Sequence, residues 1–184
     1  MDQRNISDLA GQLDGTLQRP GDSEYDKART IWNAMIDRKP AYIARCVSTE
    51  DVVASVRFAR EHDLLVSVRG GGHNVAGNAV CDDGLMIDLT LMNNVEVDAT
   101  KRRVMAQGGC TLGMIDEASH KHGLAVPAGI VSETGVGGLA LGGGVGWLVR
   151  KYGMTCDNII SAEVVTADGQ ILLASAEQNA DLFW

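Results

Sequence analysis

Apolar positions recur along the chain with two different periods, and the changes between them mark the elements. "STEDVVASVRFAREHD" (48–63) opens with a Ser/Thr cap and sets Val52, Val56 and Ala59 on one helical face. Short branched runs flank it, and "AYIARCV" (41–47) and "LLVSVR" (64–69) read as strands. Residues 41–69 are therefore expected as strand–helix–strand, which favours a parallel pair joined by a crossover. Upstream, "SDLAGQLDG" predicts a short helix from Ser7 to a glycine stop at Gly15, and "SEYDKARTIWNAMID" a loop with a helical turn. Downstream, "GLMIDLT" (84–90) is a further strand, and "VEVDATKRRVMAQGG" a hairpin turning near Ala99 and Thr100. "TLGMIDEASHKHG" (111–123) predicts a helix capped by Thr111 and stopped by Gly123. "NIISAEVVTADGQILLAS" (158–175) predicts a second hairpin around Asp168-Gly169. In "SAEQNADLFW", Ser175 and Gln178 signal a helix start, and the run closes on Leu182, Phe183 and Trp184. Three large apolar residues there lead us to expect a fold that continues, and a partner polypeptide or second copy covering that end.

Glycine interrupts both periods. The chain has 22 glycines, and most of them gather in two stretches. "VRGGGHNVAG" (68–77) follows a strand at its carboxyl end, where open α/β sheets bind ligands. Consecutive glycine N–H groups can form a concave nest for an anion, above all phosphate, and Arg69 would add positive charge at its mouth. A plain tight turn is the simpler alternative. The second stretch is "AGIVSETGVGGLALGGGVGWLVRKYG" (128–153). No GxxxxGK[ST] loop is present. "GVGGLA" (135–140) matches the dinucleotide pattern, with Asp157 about twenty residues on. The preceding "VPAGIVSET" carries Pro and Gly and makes a poor central strand, which argues against a nicotinamide Rossmann domain. Glycines this dense suit a backbone that approaches a large flat ring.

Charge and cysteines narrow the classes. A net charge of −8 with no basic stripe argues against nucleic acid and anionic membranes as partners. The apolar runs are too short to span a bilayer. "MDQRNISDLAGQLDG" lacks the basic-then-apolar order of a signal peptide, so a cytoplasmic location is expected. Cys46, Cys81, Cys110 and Cys156 form no CxxC pair and fit no zinc spacing, so reduced thiols and no metal site are expected.

Three long motifs carry a family resemblance: "SVRGGGHNVAG", "IDLTLMNNVEVD" and "PAGIVSETGVGGLALGGGVGWLVRKYGMTCDNI". Their order and spacing resemble the FAD-binding domain of flavin-linked oxidases of the vanillyl-alcohol oxidase type, in the berberine-bridge-enzyme-like branch. The resemblance implies an α+β fold of the PCMH type, two α/β lobes with FAD between them. It implies an N-terminal helical segment over 1–37 and the FAD-binding domain over 38–184, C-terminally incomplete and without a substrate domain. It implies that Arg69, Gly70, Gly71, Gly72, His73, Asn74, Val75 and Gly77 wrap the FAD pyrophosphate, and that His73 bonds to the 8α carbon of the flavin. A neutral imidazole nitrogen is a competent nucleophile near neutral pH. Gly129, Thr134, Gly135, Gly138, Gly143, Gly144 and Gly146 would line the ring and ribityl chain, with Asn158, Ile160 and Val165 toward the adenine. Gly71 and Gly143 are expected at positive φ, close to the cofactor. Where some members carry a second flavin-linking cysteine this chain has Val131, so one link is expected. Thr134 leaves the electron acceptor open, oxygen or another. The implied reaction takes a hydride from an alcohol or sugar-type carbon, and no catalytic acid or base is identified before Trp184. The alternative is a flavin-binding module that needs a partner chain for its substrate site.

Overall fold

The computed structural model describes residues 3–184, with side chains from Ile6 onward. Helix α1 (Gln3–Gln12) leads into the short strand β1 (Thr16–Gln18), and α2 (Tyr25–Arg29) precedes β2 (Tyr42–Arg45). Then come α3 (Thr49–Glu61), β3 (Val66–Arg69) and β4 (Leu85–Asp88). These four strands form one sheet in the order β1-β2-β4-β3, with β2, β4 and β3 mutually parallel and β1 antiparallel on β2.

Burial explains that order. Every residue of β4 is buried, so it belongs at the centre. Leu85 and Ile87 join Ile6, Leu9, Ala44, Cys46 and Phe58 in one core, while Met86 joins Tyr25, Ala28, Ile31, Ile43 and Val80 in another. By contrast, β3 buries Ser67 and leaves Val66 and Val68 exposed, which suits an edge. The expected direct pairing of β2 with β3 is therefore corrected. Both are parallel, but the later strand β4 inserts between them because it alone of the three is buried at every position.

The segment before residue 38, expected as a helical unit, also supplies β1 to the sheet and Ile6 and Leu9 to its core. Helix α1 ends at Gln12, short of the expected stop at Gly15. The amides of Asp14 and Gly15 are instead taken by the buried Asp51 carboxylate, which also accepts from Val47 N–H. Ser48 caps α3 as expected, accepting from Asp51 N–H at 3.2 Å.

The second half holds two separate hairpins. Strands β5 (Val95–Asp98) and β6 (Arg103–Ala106) pair around residues 99–102, and β7 (Ser161–Val165) pairs with β8 (Ile171–Ser175) around Gly169, φ +75°. Between them lie α4 (Leu112–His120), α5 (Val136–Leu141) and α6 (Val149–Tyr152). The last helix, α7 (Ala180–Phe183), starts later than expected. The Ser175 hydroxyl does accept from Glu177 and Gln178 N–H, but Asn179 sits at φ +50° and breaks the helical path. Among the described residues no helix is long and apolar enough to cross a membrane.

Candidate functional site

The two glycine stretches meet. The loop 70–77 leaves the carboxyl end of β3, and the segment before α5 closes on it. A Cβ built on Gly71 would lie 2.2 Å from the Gly135 nitrogen, and one on Gly135 would lie 2.2 Å from the Gly71 nitrogen. Only two glycines allow this backbone contact. Gly108, at the end of β6, belongs to the same junction: its carbonyl would lie 2.8 Å from a Cβ on Gly70 and 3.5 Å from one on Gly137.

The loop's donors are free. Among the described residues no hydrogen bond uses the amide N–H of any residue from 70 to 76. Several of its carbonyls, in contrast, are taken. Trp32 N–H donates to Gly72 O (3.1 Å), Asn33 Nδ2 to Val75 O (2.8 Å), and Arg38 Nη1 to Gly77 O and Val80 O (2.8 and 3.0 Å). A run of unpaired N–H groups with tied carbonyls presents partial positive charge on one side. That is the donor set a pyrophosphate requires, so the loop fits FAD. Positive φ falls on Gly72 (+69°) and Gly77 (+76°), not on Gly71 as expected. Asn74 serves the loop internally, its Oδ1 accepting from Asn78 N–H at 3.0 Å. Arg69 is tied to the Ala28 carbonyl instead of standing free at the mouth. It lines a cavity of about 100 Å³ with Arg45, Asp88 and Thr90, at the carboxyl ends of the three parallel strands. There the Arg45 Nε stands 3.4 Å from the buried Asp88 carboxylate.

His73 is half-buried at the end of the glycine run, and its imidazole stacks on the Trp32 indole, centroids 5.3 Å apart and planes 24° off parallel.

The second stretch divides by what each glycine faces. Gly129, Gly144 and Gly146 pack against the protein itself: a Cβ there would meet Leu139, Thr155 and the Ala128 carbonyl at 2.4, 2.2 and 1.7 Å. Gly138 faces open space, with nothing within 4 Å, and Gly143 (φ +100°) meets only Met154. Among the described residues the amides of 137, 138 and 144–148 donate no hydrogen bond. Thr134 is half-buried, its carbonyl accepting from Leu112 N–H. Val131 is exposed, and three of the four thiols are buried elsewhere. Around these glycines Leu141 and Trp147 are 89% and 85% exposed, an apolar surface open to a ligand or further chain. Asn158, Ile160 and Val165 stand on the path from α6 into β7. Asn158 Nδ2 donates to Tyr152 O and Met154 O, and Val165 pairs with Ile171.

Sequence reasoning missed Gly108, Trp32, Asn33 and Arg38. The first lies at an unremarked hairpin end, and the others in a segment without periodicity.

This fold and this pair of glycine walls define an FAD-binding domain. The family model described as "FAD binding domain" matches residues 40–175, and the chain belongs to that family, among the berberine-bridge-enzyme-like FAD-linked oxidases. It is 41% identical over 172 residues to the (R)-6-hydroxynicotine oxidase of Paenarthrobacter nicotinovorans, covering 94% of this chain and 38% of that protein. The crystal structure of 6-hydroxy-D-nicotine oxidase from Arthrobacter nicotinovorans superposes with a TM-score of 0.92 at 41% identity, covering 94% of this chain and 38% of the other. Glucooligosaccharide oxidase from Acremonium strictum, which carries a 6-S-cysteinyl, 8α-N1-histidyl FAD, superposes at 0.91 and 35% identity, over 98% of this chain and 38% of its own. The chain thus spans a little over a third of the length of these relatives. The expected α+β PCMH-type fold and the FAD cofactor are borne out.

Proposed function

We propose that the chain is the cofactor-holding part of an FAD-dependent oxidoreductase, with the flavin joined to the protein once, through His73. The unpaired amides of residues 70–76, on either side of His73, carry this reading. Those N–H groups would hold the pyrophosphate. Gly138 and Gly143, where added side chains would point to open space or a lone methionine, would let the flavin lie against the backbone. His73 would give one ring nitrogen to the 8α carbon. The new C–N bond would replace one N–H and one C–H bond, and the two protons and two electrons would have to pass to dioxygen, giving hydrogen peroxide. Val131 offers no thiolate, so no second bond forms at C6. When bound, FAD accepts a hydride from a substrate carbon and passes the electrons to oxygen or another acceptor.

The substrate we propose is an alcohol or sugar-type carbon bearing a hydroxyl. The oligosaccharide oxidase among the structural relatives supports it, and the hydroxynicotine oxidase widens the compounds to be assayed. A second reading, a flavin-holding module whose substrate wall comes from further polypeptide, is favoured by the exposed Leu141 and Trp147. The test of the link is flavin fluorescence in the protein band of a denaturing gel. Wild type should fluoresce and His73→Ala should not. Equal fluorescence in both would remove His73 as the attachment point.

A further inference from the structure

The loop that carries His73 does little to hold its own shape. The glycines contribute no side chains, the amides of residues 70–76 form no bonds, and its internal bonds are those of Gly77 N–H and Asn78 N–H to Asn74. What fixes it is the segment 28–38, which lies outside the residues matched by the family model. Ala28 O receives Arg69, Trp32 and Asn33 donate to Gly72 and Val75, and Arg38 donates to Gly77 and Val80. Apolar contacts follow the same path. A Cβ built on Gly72 would lie 3.6 Å from Ile31, and one built on Gly77 only 2.8 Å from Ile36. The segment is a clamp gripping the loop from its carbonyl side and leaving the donor side open.

The clamp carries one ring. Trp32 is anchored by its own backbone N–H to Gly72 O, the residue directly before His73, and its indole stacks on the imidazole at 24° between planes. Anchor and stacked ring are thus tied to adjacent loop residues, so the indole cannot shift without breaking one of the two contacts. Yet Trp32 remains 60% exposed, which is costly for a large aromatic unless its face is needed there. Stacking restricts rotation of the imidazole about its terminal torsion, which is otherwise broad. We propose that Trp32 is a positioning residue for His73: carried on the 28–38 clamp, its indole fixes the plane in which the imidazole presents its nitrogen to the flavin 8α carbon. The proposal rests on the reading of His73 as the attachment point.

The test uses the chain produced flavin-free, mixed with saturating FAD, as wild type, Trp32→Phe, Trp32→Leu and His73→Ala. Covalent flavin is followed in time on denaturing gels, and FAD affinity is measured separately on ice before attachment proceeds. Misplacing a reacting group by about 1 Å is worth up to ~100-fold in rate, so a freed imidazole in Trp32→Leu should attach about tenfold or more slowly. FAD affinity and melting temperature should stay near wild type, and Trp32→Phe should restore most of the rate. Attachment at the wild-type rate in Trp32→Leu would overturn the proposal. So would a loss of rate matched by an equal loss of FAD affinity, or a Phe variant as slow as the Leu variant. If wild type forms no covalent flavin, the attachment reading fails on its own, and the proton NMR of the His73 ring, assigned by its loss in His73→Ala, still decides the positioning. An upfield ring-current shift that vanishes in Trp32→Leu supports it, and a shift unchanged by that substitution contradicts it.

Discussion

The reciprocal contact of Gly71 and Gly135 makes a sharp mechanical prediction. Replacing Gly71 with alanine puts a methyl carbon 2.2 Å from the Gly135 nitrogen, 2.5 Å from its Cα and 3.2 Å from the Glu133 carbonyl. All three atoms are backbone, so no rotamer change relieves the clash. Ordinary contact begins near 3.4 Å, so the two segments must part by a little over 1 Å. Neither glycine has positive φ, so the cost is packing and not backbone strain. Overpacking of this kind costs about 1–3 kcal/mol. For a chain of this size each kcal/mol lowers the melting temperature by about 2–4 °C. Gly135→Ala should behave alike, because its Cβ would meet the Gly71 nitrogen at the same distance. One separation relieves both clashes, so the double variant should cost clearly less than the sum of the two singles. The assay is thermal unfolding of the flavin-free chain. Unchanged melting temperatures in both single variants, or strict additivity in the double, would refute the contact between the two glycine walls.

Two further outcomes follow from the site and the core. Gly138→Ala, at a helix position with nothing within 4 Å, should raise flavin-free stability by about 0.5–1 kcal/mol while weakening FAD retention; a rise in both would mean that Gly138 does not face the flavin. Burial pushes the Cys46 thiol up from 9.0 to about 12, so its contribution is complete below pH 9 and is lost as pH rises toward 12. Melting temperature should fall over that window and fall less steeply in Cys46→Ala, and equal slopes would show that another group governs the alkaline limb.

Much of this was legible in the chain because local pattern encodes local structure. The Ser48 cap, the Asp168-Gly169 turn and the apolar periods of α3 and β4 locate elements that depend on near neighbours. Sheet order does not. That β4 separates β2 from β3 follows only from weighing burial on both faces, which the exposed Val66 and Val68 of β3 decide. Helix α7 starts late because Asn179 adopts a left-handed turn that no cap signal announces. The glycine stretches were plain as a site, but not the division of labour within them. Gly71 and Gly146 are small because the protein's own backbone passes there, whereas Gly138 faces open space. Trp32 was invisible as a site residue because its link to His73 is tertiary, made by a segment with no period of its own.

The central claim is that these two glycine walls hold FAD, and the absorption spectrum of the purified chain tests it most directly. The account predicts a yellow protein with the two visible flavin bands, at one FAD per chain, either as isolated or after adding FAD and removing the excess. A colourless protein that takes up no added FAD would contradict it.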